Sequence, residues 1–225
     1  DRKINIEWIA AEDIEEHGAE QLLSSARGII VPGGFGERGL EGMIAAANYA
    51  RKSNVPYLGL CLGMQIMVVE YARNELGIAD ATSLEIDPEA ANPVIAFMDG
   101  QEELHSTGGT MRLGLYPCAL KEGTRVREAY GEETVDERHR HRYEFNNEYR
   151  LQLEEAGLVA SGTSPDGSLV EVTEVYGHPF MVGSQFHPEF GSRPERPHPL
   201  FREFIKVSRS VLREGGQHDL FEEQE

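Results

Sequence analysis

Lysine is scarce in this chain: Lys3, Lys52, Lys121 and Lys206 are the only four, and 21 basic residues face 39 acidic ones for a net charge of −18. That balance disfavours non-specific contact with nucleic acid or an anionic membrane. Cysteine is limited to Cys61 and Cys118, and no N-terminal apolar segment leads to a small-residue cleavage site, so a reducing, cytoplasmic setting is expected. No apolar run approaches the length that spans a bilayer. The sequence holds no GxxxxGK[ST] phosphate loop and no internal repeat. Its histidines, His139 and His141 included, lack zinc-site spacing, and no metal site is expected. The surplus of carboxylates is read as suited to a very salty cytoplasm, where screening weakens self-repulsion, with an ordinary acidic protein as the plainer alternative.

Strand signals alternating with helical ones over 225 residues point to one α/β domain. The chain starts at Asp1 and enters an alternating stretch, 3–9, read as an opening strand; it is expected to be a piece of something longer. Residues 10–27 have helical spacing, 28–31 read as a strand, and an alanine-rich helix runs to about residue 53. An apolar strand over 55–60 and a helix over 62–74 follow. Residues 77–93 form an irregular connection, 94–98 a strand, and 105–112 a polar loop able to cover a pocket. Cys118 is read as packing. A helix over 147–156 stops at Gly157, strands follow at 158–161, 168–175 and 180–186, and 200–213 is an amphipathic closing helix. The domain is placed at 1–214, and the acidic stretch 215–225, without apolar pattern, is expected to fray.

The stretch with the clearest chemistry is GLCLGMQ, residues 59–65, which puts Cys61 on a strand-to-helix turn. There the first amides of the helix and the positive end of its dipole favour a thiolate and an oxyanion alike. Gly59 and Gly63 stand where a Cβ would crowd a sharp turn or an approaching substrate. By itself a lone cysteine in an apolar run is more simply a buried structural residue. Far downstream, His187 ends another strand and Glu189 lies two residues on; in extended chain such residues project to one side, with Pro188 stiffening the link. The carboxylate would then fix the histidine tautomer and the imidazole accept the cysteine proton, giving nucleophile, base and orienter at one sheet edge.

Two further stretches bear on the site. GFGERG fits a dinucleotide fingerprint at Gly34, Gly36 and Gly39, but 54–58 lacks the acidic residue that a ribose needs, so a cofactor is disfavoured. A glycine pair after a strand can instead offer a backbone N–H to developing negative charge. RHRHR, residues 138–142, is a basic island that reads either as a solvated face or as a source of a guanidinium for a carboxylate.

The segments PGGFG (32–36), GLCLGMQ (59–65), GGTMRLG (108–114), RHRHRYEFNN (138–147) and QFHPEF (185–190) follow one another over nearly the whole chain. In them the sequence resembles the glutaminase domains of the CTP synthase family, a branch of the class I glutamine amidotransferases. The resemblance implies a mainly parallel twisted sheet between helix layers, in a flavodoxin-like three-layer architecture. It implies that Cys61 attacks the side-chain amide of L-glutamine, with His187 as base and then acid, Glu189 orienting it, and the amides of Gly34 and Leu62 as oxyanion hole. Glutamine contacts are implied for Phe35, Gln65, Glu85 and Arg142: the Arg142 guanidinium suits the α-carboxylate and Glu85 the α-ammonium. Loop 105–112, with Arg112, is similar to the family's lid, which responds to the activator GTP. No cofactor is implied in this domain; ATP and Mg²⁺ belong to an N-terminal amidoligase domain of the same polypeptide, absent from this chain, which turns UTP into CTP in a homotetramer. Alternatives are a class I glutaminase serving another synthetase, a silent regulatory module, or a cysteine peptidase or γ-glutamyl hydrolase on a related sheet.

Overall fold

The apolar run before Cys61 forms a strand, β2 (Tyr57–Leu60), buried at every position, and the sheet is built outward from it. The computed structural model describes residues 4–97 and 111–210. β2 pairs in parallel with β1 (Ile29–Val31) on one side and with β10 (Met181–Ser184) on the other. Beyond β10 come β9 (Val170–Val175), β8 (Leu158–Thr163), β5 (Arg112–Leu120) and β6 (Thr134–His141), completing the order β1-β2-β10-β9-β8-β5-β6. These last four pairings are antiparallel. The parallel pairing expected of the sheet therefore lies at the strands that carry Cys61 and His187. The flank departs from it because the links between β8, β9 and β10 are too short for a crossover.

Side-chain alternation along β2 divides the interior in two. Tyr57 joins a core beneath α1 (Ala11–His17), α3 (Leu40–Lys52) and α4 (Leu62–Asn74), whereas Leu58 and Leu60 join one beneath α5 (Arg125–Tyr130) and α7 (Pro199–Ser210). Helix layers thus cover both faces. A small second sheet, β3 (Thr82–Ser83), β4 (Pro93–Phe97) and β7 (Tyr143–Phe145), packs against α4. The remaining helices are α2 (Ala19–Leu23) and α6 (Arg150–Ala156), the latter closed by Gly157 in the left-handed conformation.

Three expectations need correction. The opening strand over 3–9 does not form: residues 4–10 have no strand assignment, and Ile4, Ile6 and Trp8 are 56%, 69% and 89% exposed. No described strand pairs there, so the alternation has no face to bury. The helix over 10–27 is two, α1 and α2, broken at Gly18, whose φ is +85°. A long hairpin, β5 against β6, occupies residues given no strand at all. Its signal was masked, because Pro117 interrupts β5 and β6 alternates charged residues with histidine, not apolar with polar. The loop at 105–110 and the stretch 215–225 lie outside the described residues.

Candidate active site

Cys61 is the pivot between β2 and α4. Its φ of 51° and ψ of −100° are uncommon for a residue with a Cβ, a strain of about 1–3 kcal/mol. The surroundings hold it there: its N–H donates to Ser184 O at 2.7 Å, while its carbonyl accepts from Met64 N at 3.1 Å and Gln65 N at 3.2 Å. The helix can start this close only because of two glycines. A Cβ at Gly59 would lie 2.4 Å from Gly63 O, and one at Gly63 would lie 2.1 Å from Val31 O. The crowding comes from the protein's own backbone.

His187 follows β10 and is fixed by its N–H, which donates to Arg138 O of β6 at 2.8 Å. Pro188–Phe190 is a 3-10 turn, not the extended chain expected, and the turn delivers Glu189 to the imidazole: Nδ1 lies 2.7 Å from Glu189 Oε1. The ring stacks on Phe190 with centroids 5.2 Å apart. Nε2 is buried and has no hydrogen-bond partner. Gly33 closes over both groups, since a Cβ there would lie 3.0 Å from His187 Cε1 and 3.5 Å from Cys61 Cβ. The Cys61 side chain, then Glu189, outweigh burial and lift the His187 pKa to about 10. Burial alone would lift Glu189, but its bond to His187 leaves it below the usual carboxylate value. Sulfur, imidazole and carboxylate therefore lie in one array, the residue types of a nucleophile, a base and its orienter.

The other expected residues gather around this array to different degrees. Gly34 abuts Leu62, whose Cδ2 would be 3.1 Å from a Cβ on Gly34, so the two amides proposed as a pair belong to touching residues. Glu85 accepts from Gly36 N at 3.1 Å and lines, with Leu62 and Gln65, a small cleft beside the first turn of α4. Arg142 is exposed in the β6–β7 turn, and its charge and that of Glu85 both reach Tyr143. Phe35 is 59% exposed under the Arg140 guanidinium, 5.9 Å from its ring. Arg112 does not lie on a loop: it opens β5 and is buried, 2.7 Å from Glu171 and 3.5 Å from Glu144. Gln185 was not anticipated, although it precedes His187 by the same two-residue step that singled out Glu189. It is wholly buried, and its side-chain nitrogen lies 3.7 Å from Cys61 Sγ.

In RHRHR the side chains alternate: Arg138 and Arg140 face outward from β6, the solvated face, and His139 and His141 inward. The two rings meet at 2.8 Å between His139 Nδ1 and His141 Nε2. His141 Nδ1 must donate to Tyr143 O at 3.2 Å, because a carbonyl only accepts, so its Nε2 accepts from His139. The His141 ring is thus neutral, and burial and the Arg112 charge push the pKa values down to about 2 for His139 and about 3 for His141. One guanidinium cannot neutralise two carboxylates. Burial and the Glu171 charge push Glu144 up to about 8. Among the described residues no cluster of His, Cys, Asp and Glu is placed to hold a metal ion, and no helix is long and apolar enough to cross a membrane.

A pH dependence of stability follows from these shifts. Between about pH 3 and 6.5 the unfolded chain binds protons at His139 and His141 that the folded chain refuses, so stability rises with pH. Above pH 6.5 the folded chain still holds protons on Glu144 and His187 that the unfolded chain has lost, so stability falls toward pH 8. Glu144 accounts for about 1–2 kcal/mol of that fall. Urea unfolding at pH 6.5 and 8 should show it, and Glu144→Gln should make it shallower by about that amount; equal slopes in the two proteins would refute the assignment.

Comparison with known proteins agrees with this architecture. The family model for glutamine amidotransferase class-I matches residues 1–207. A CTP synthase of Dehalococcoides mccartyi is 59% identical over 219 residues, covering 97% of this chain and 40% of that protein. The Bacillus subtilis CTP synthase is 57% identical over 208 residues, covering 92% of this chain and 39% of its own length. The chain therefore spans about two fifths of these relatives. Among solved structures, the glutaminase domain of Trypanosoma brucei CTPS with bound acivicin superposes with a TM-score of 0.88 at 36% identity, covering 94% of this chain and 83% of that one. On this evidence the chain belongs to the class I glutamine amidotransferases, in the branch formed by the glutaminase domains of CTP synthases.

Proposed function

We propose that this domain hydrolyses L-glutamine to glutamate and ammonia through a glutamyl thioester on Cys61. The thiolate attacks the side-chain carbonyl carbon; a C–S bond forms and the carbonyl electron pair moves to oxygen, held by the amides of Gly34 and Leu62. The tetrahedral carbon collapses, the C–N bond breaks, and His187 gives its proton to the departing nitrogen, which leaves as ammonia. Water then adds to the thioester carbon and passes a proton to His187. The C–S bond breaks, its electron pair returns to sulfur, and glutamate departs. Gln65, Glu85, Arg142 and Phe35 hold the amino-acid end of the substrate.

The observation that carries this reading is the imidazole of His187, anchored on Glu189 at 2.7 Å, with Gly33 packed against it and Cys61 alike. The relatives named CTP synthase support the further step, in which an amidoligase domain of the same polypeptide uses the ammonia, with ATP and Mg²⁺, to convert UTP to CTP. GTP activation involving Arg112 and a homotetrameric whole enzyme belong to the same proposal. Ammonia released from L-glutamine, measured with and without the amidoligase domain, tests it. Slow release by this chain alone and faster release with its partner are expected; a folded chain that releases none in either condition would overturn the reading.

A further inference from the structure

A chain of amide hydrogen bonds runs through the wall of the site and ends on the sulfur. Tyr143 O can only accept, so the side-chain nitrogen of Gln65 must face it, at 3.1 Å. That nitrogen also donates to Gln185 Oε1 at 3.2 Å. With its oxygen so engaged, the Gln185 amide turns its own nitrogen toward Cys61 Sγ, 3.7 Å away. Flipping either amide would set two oxygens, or two N–H groups, against each other. Gln185 has no exposed surface, and its main-chain N–H is tied to Glu171 O at 2.8 Å. The amide has a single orientation, set from Tyr143 through Gln65.

We propose that the Gln185 side chain, aligned by Gln65, donates a hydrogen bond to the sulfur of Cys61 that holds its negative charge in the free thiolate and again as the thioester breaks. The role rests on Cys61 being the nucleophile of the glutaminase reaction. Sulfur is anionic twice in that cycle: before it attacks the amide, and when the C–S electron pair returns to it after water has added to the carbonyl carbon. Between these points, in the thioester, it is neutral and a poor acceptor. The N–H therefore favours both the resting ion pair with His187 and departure of the sulfur. A hydrogen bond to a charged group is strong enough to shift such an equilibrium by about one pKa unit or more.

Gln185→Met keeps the length and volume of the side chain and removes the donor. Alkylation of Cys61 by iodoacetamide is followed as a function of pH, with peptide mass spectrometry to count Cys61 apart from Cys118. The expected result is an alkylation midpoint raised by about one unit or more, together with a kcat for ammonia release lowered about tenfold or more at little-changed KM. A packing role would not move the midpoint, and an unchanged midpoint in folded Gln185→Met overturns the proposal. If that variant does not fold, Gln65→Met decides: it releases the Gln185 amide from its alignment, a smaller rise in the same direction is expected, and an unmoved midpoint overturns the proposal. Alkylation needs no glutamine, so absence of ammonia release, which would defeat the glutaminase reading, is seen separately.

Discussion

Cys61→Ala is expected to lower ammonia release from L-glutamine by a factor on the order of 10⁴ to 10⁶ while leaving the fold intact. The size follows from the array: without sulfur there is nothing for the His187 and Glu189 pair to activate, and hydrolysis would have to use water at a position built for a side chain. The fold should survive because alanine keeps the Cβ and the main-chain bonds to Ser184, Met64 and Gln65. A companion variant separates chemistry from strain. Cys61→Gly also loses the sulfur, but at φ 51° and ψ −100° it relieves the crowding that alanine retains. Its melting temperature is therefore expected to match or exceed that of Cys61→Ala, at equally negligible activity. Retention of more than about 1% of the parent rate by Cys61→Ala, against a loss expected for a nucleophile, would remove this residue from the reaction.

Gly63→Ala should have the largest effect on stability of any change near the site. The added methyl would sit 2.1 Å from Val31 O and 3.0 Å from Val31 C, both backbone atoms of a strand that cannot rotate away. Relief requires α4 to lift off β1, opening a core in which Met64, Met67 and Val68 are fully buried. Overpacking against fixed backbone is expected to cost about 3 kcal/mol or more, read as a lower urea midpoint at unchanged slope. Activity of any folded fraction should fall as well, because the Leu62 amide moves with the helix. Gly36→Ala is the control: its φ is +82° but nothing lies within 4 Å of the added carbon, so a cost of only about 1 kcal/mol is expected from backbone conformation alone. Equal costs at the two positions would mean that the strand and helix are not in backbone contact.

Much of the site was legible because it is local. The strand, turn and helix around Cys61 are contiguous; α4 occupies Leu62–Asn74, the span its spacing indicated, and a dense apolar run leaves few ways to fold. His187 and Glu189 are two residues apart, so their pairing survived the wrong backbone conformation assigned to them. Other features depend on partners distant in the chain. Nothing near Ile4 tells that no described strand lies beside it, and nothing near Gln185 tells that Gln65, 120 positions away, sets its amide. Arg112 is the clearest case: a polar residue after a loop-like stretch looks like surface, and only the sheet brings Glu171 and Glu144 around it.

The stretch from Arg138 to Tyr143 gives the site three main-chain oxygens in addition to any side chain it offers. Arg138 O receives the N–H of His187, Arg140 O lies 4.0 Å from Cys61 Sγ, and Tyr143 O orients Gln65. Every residue type carries that oxygen, so the outward guanidinium groups of Arg138 and Arg140 can be exchanged without displacing any of the three anchors. One ribbon of chain thus separates two kinds of selection: its inner edge answers to the shape of the backbone, and its outer face is free to follow whatever lies against it.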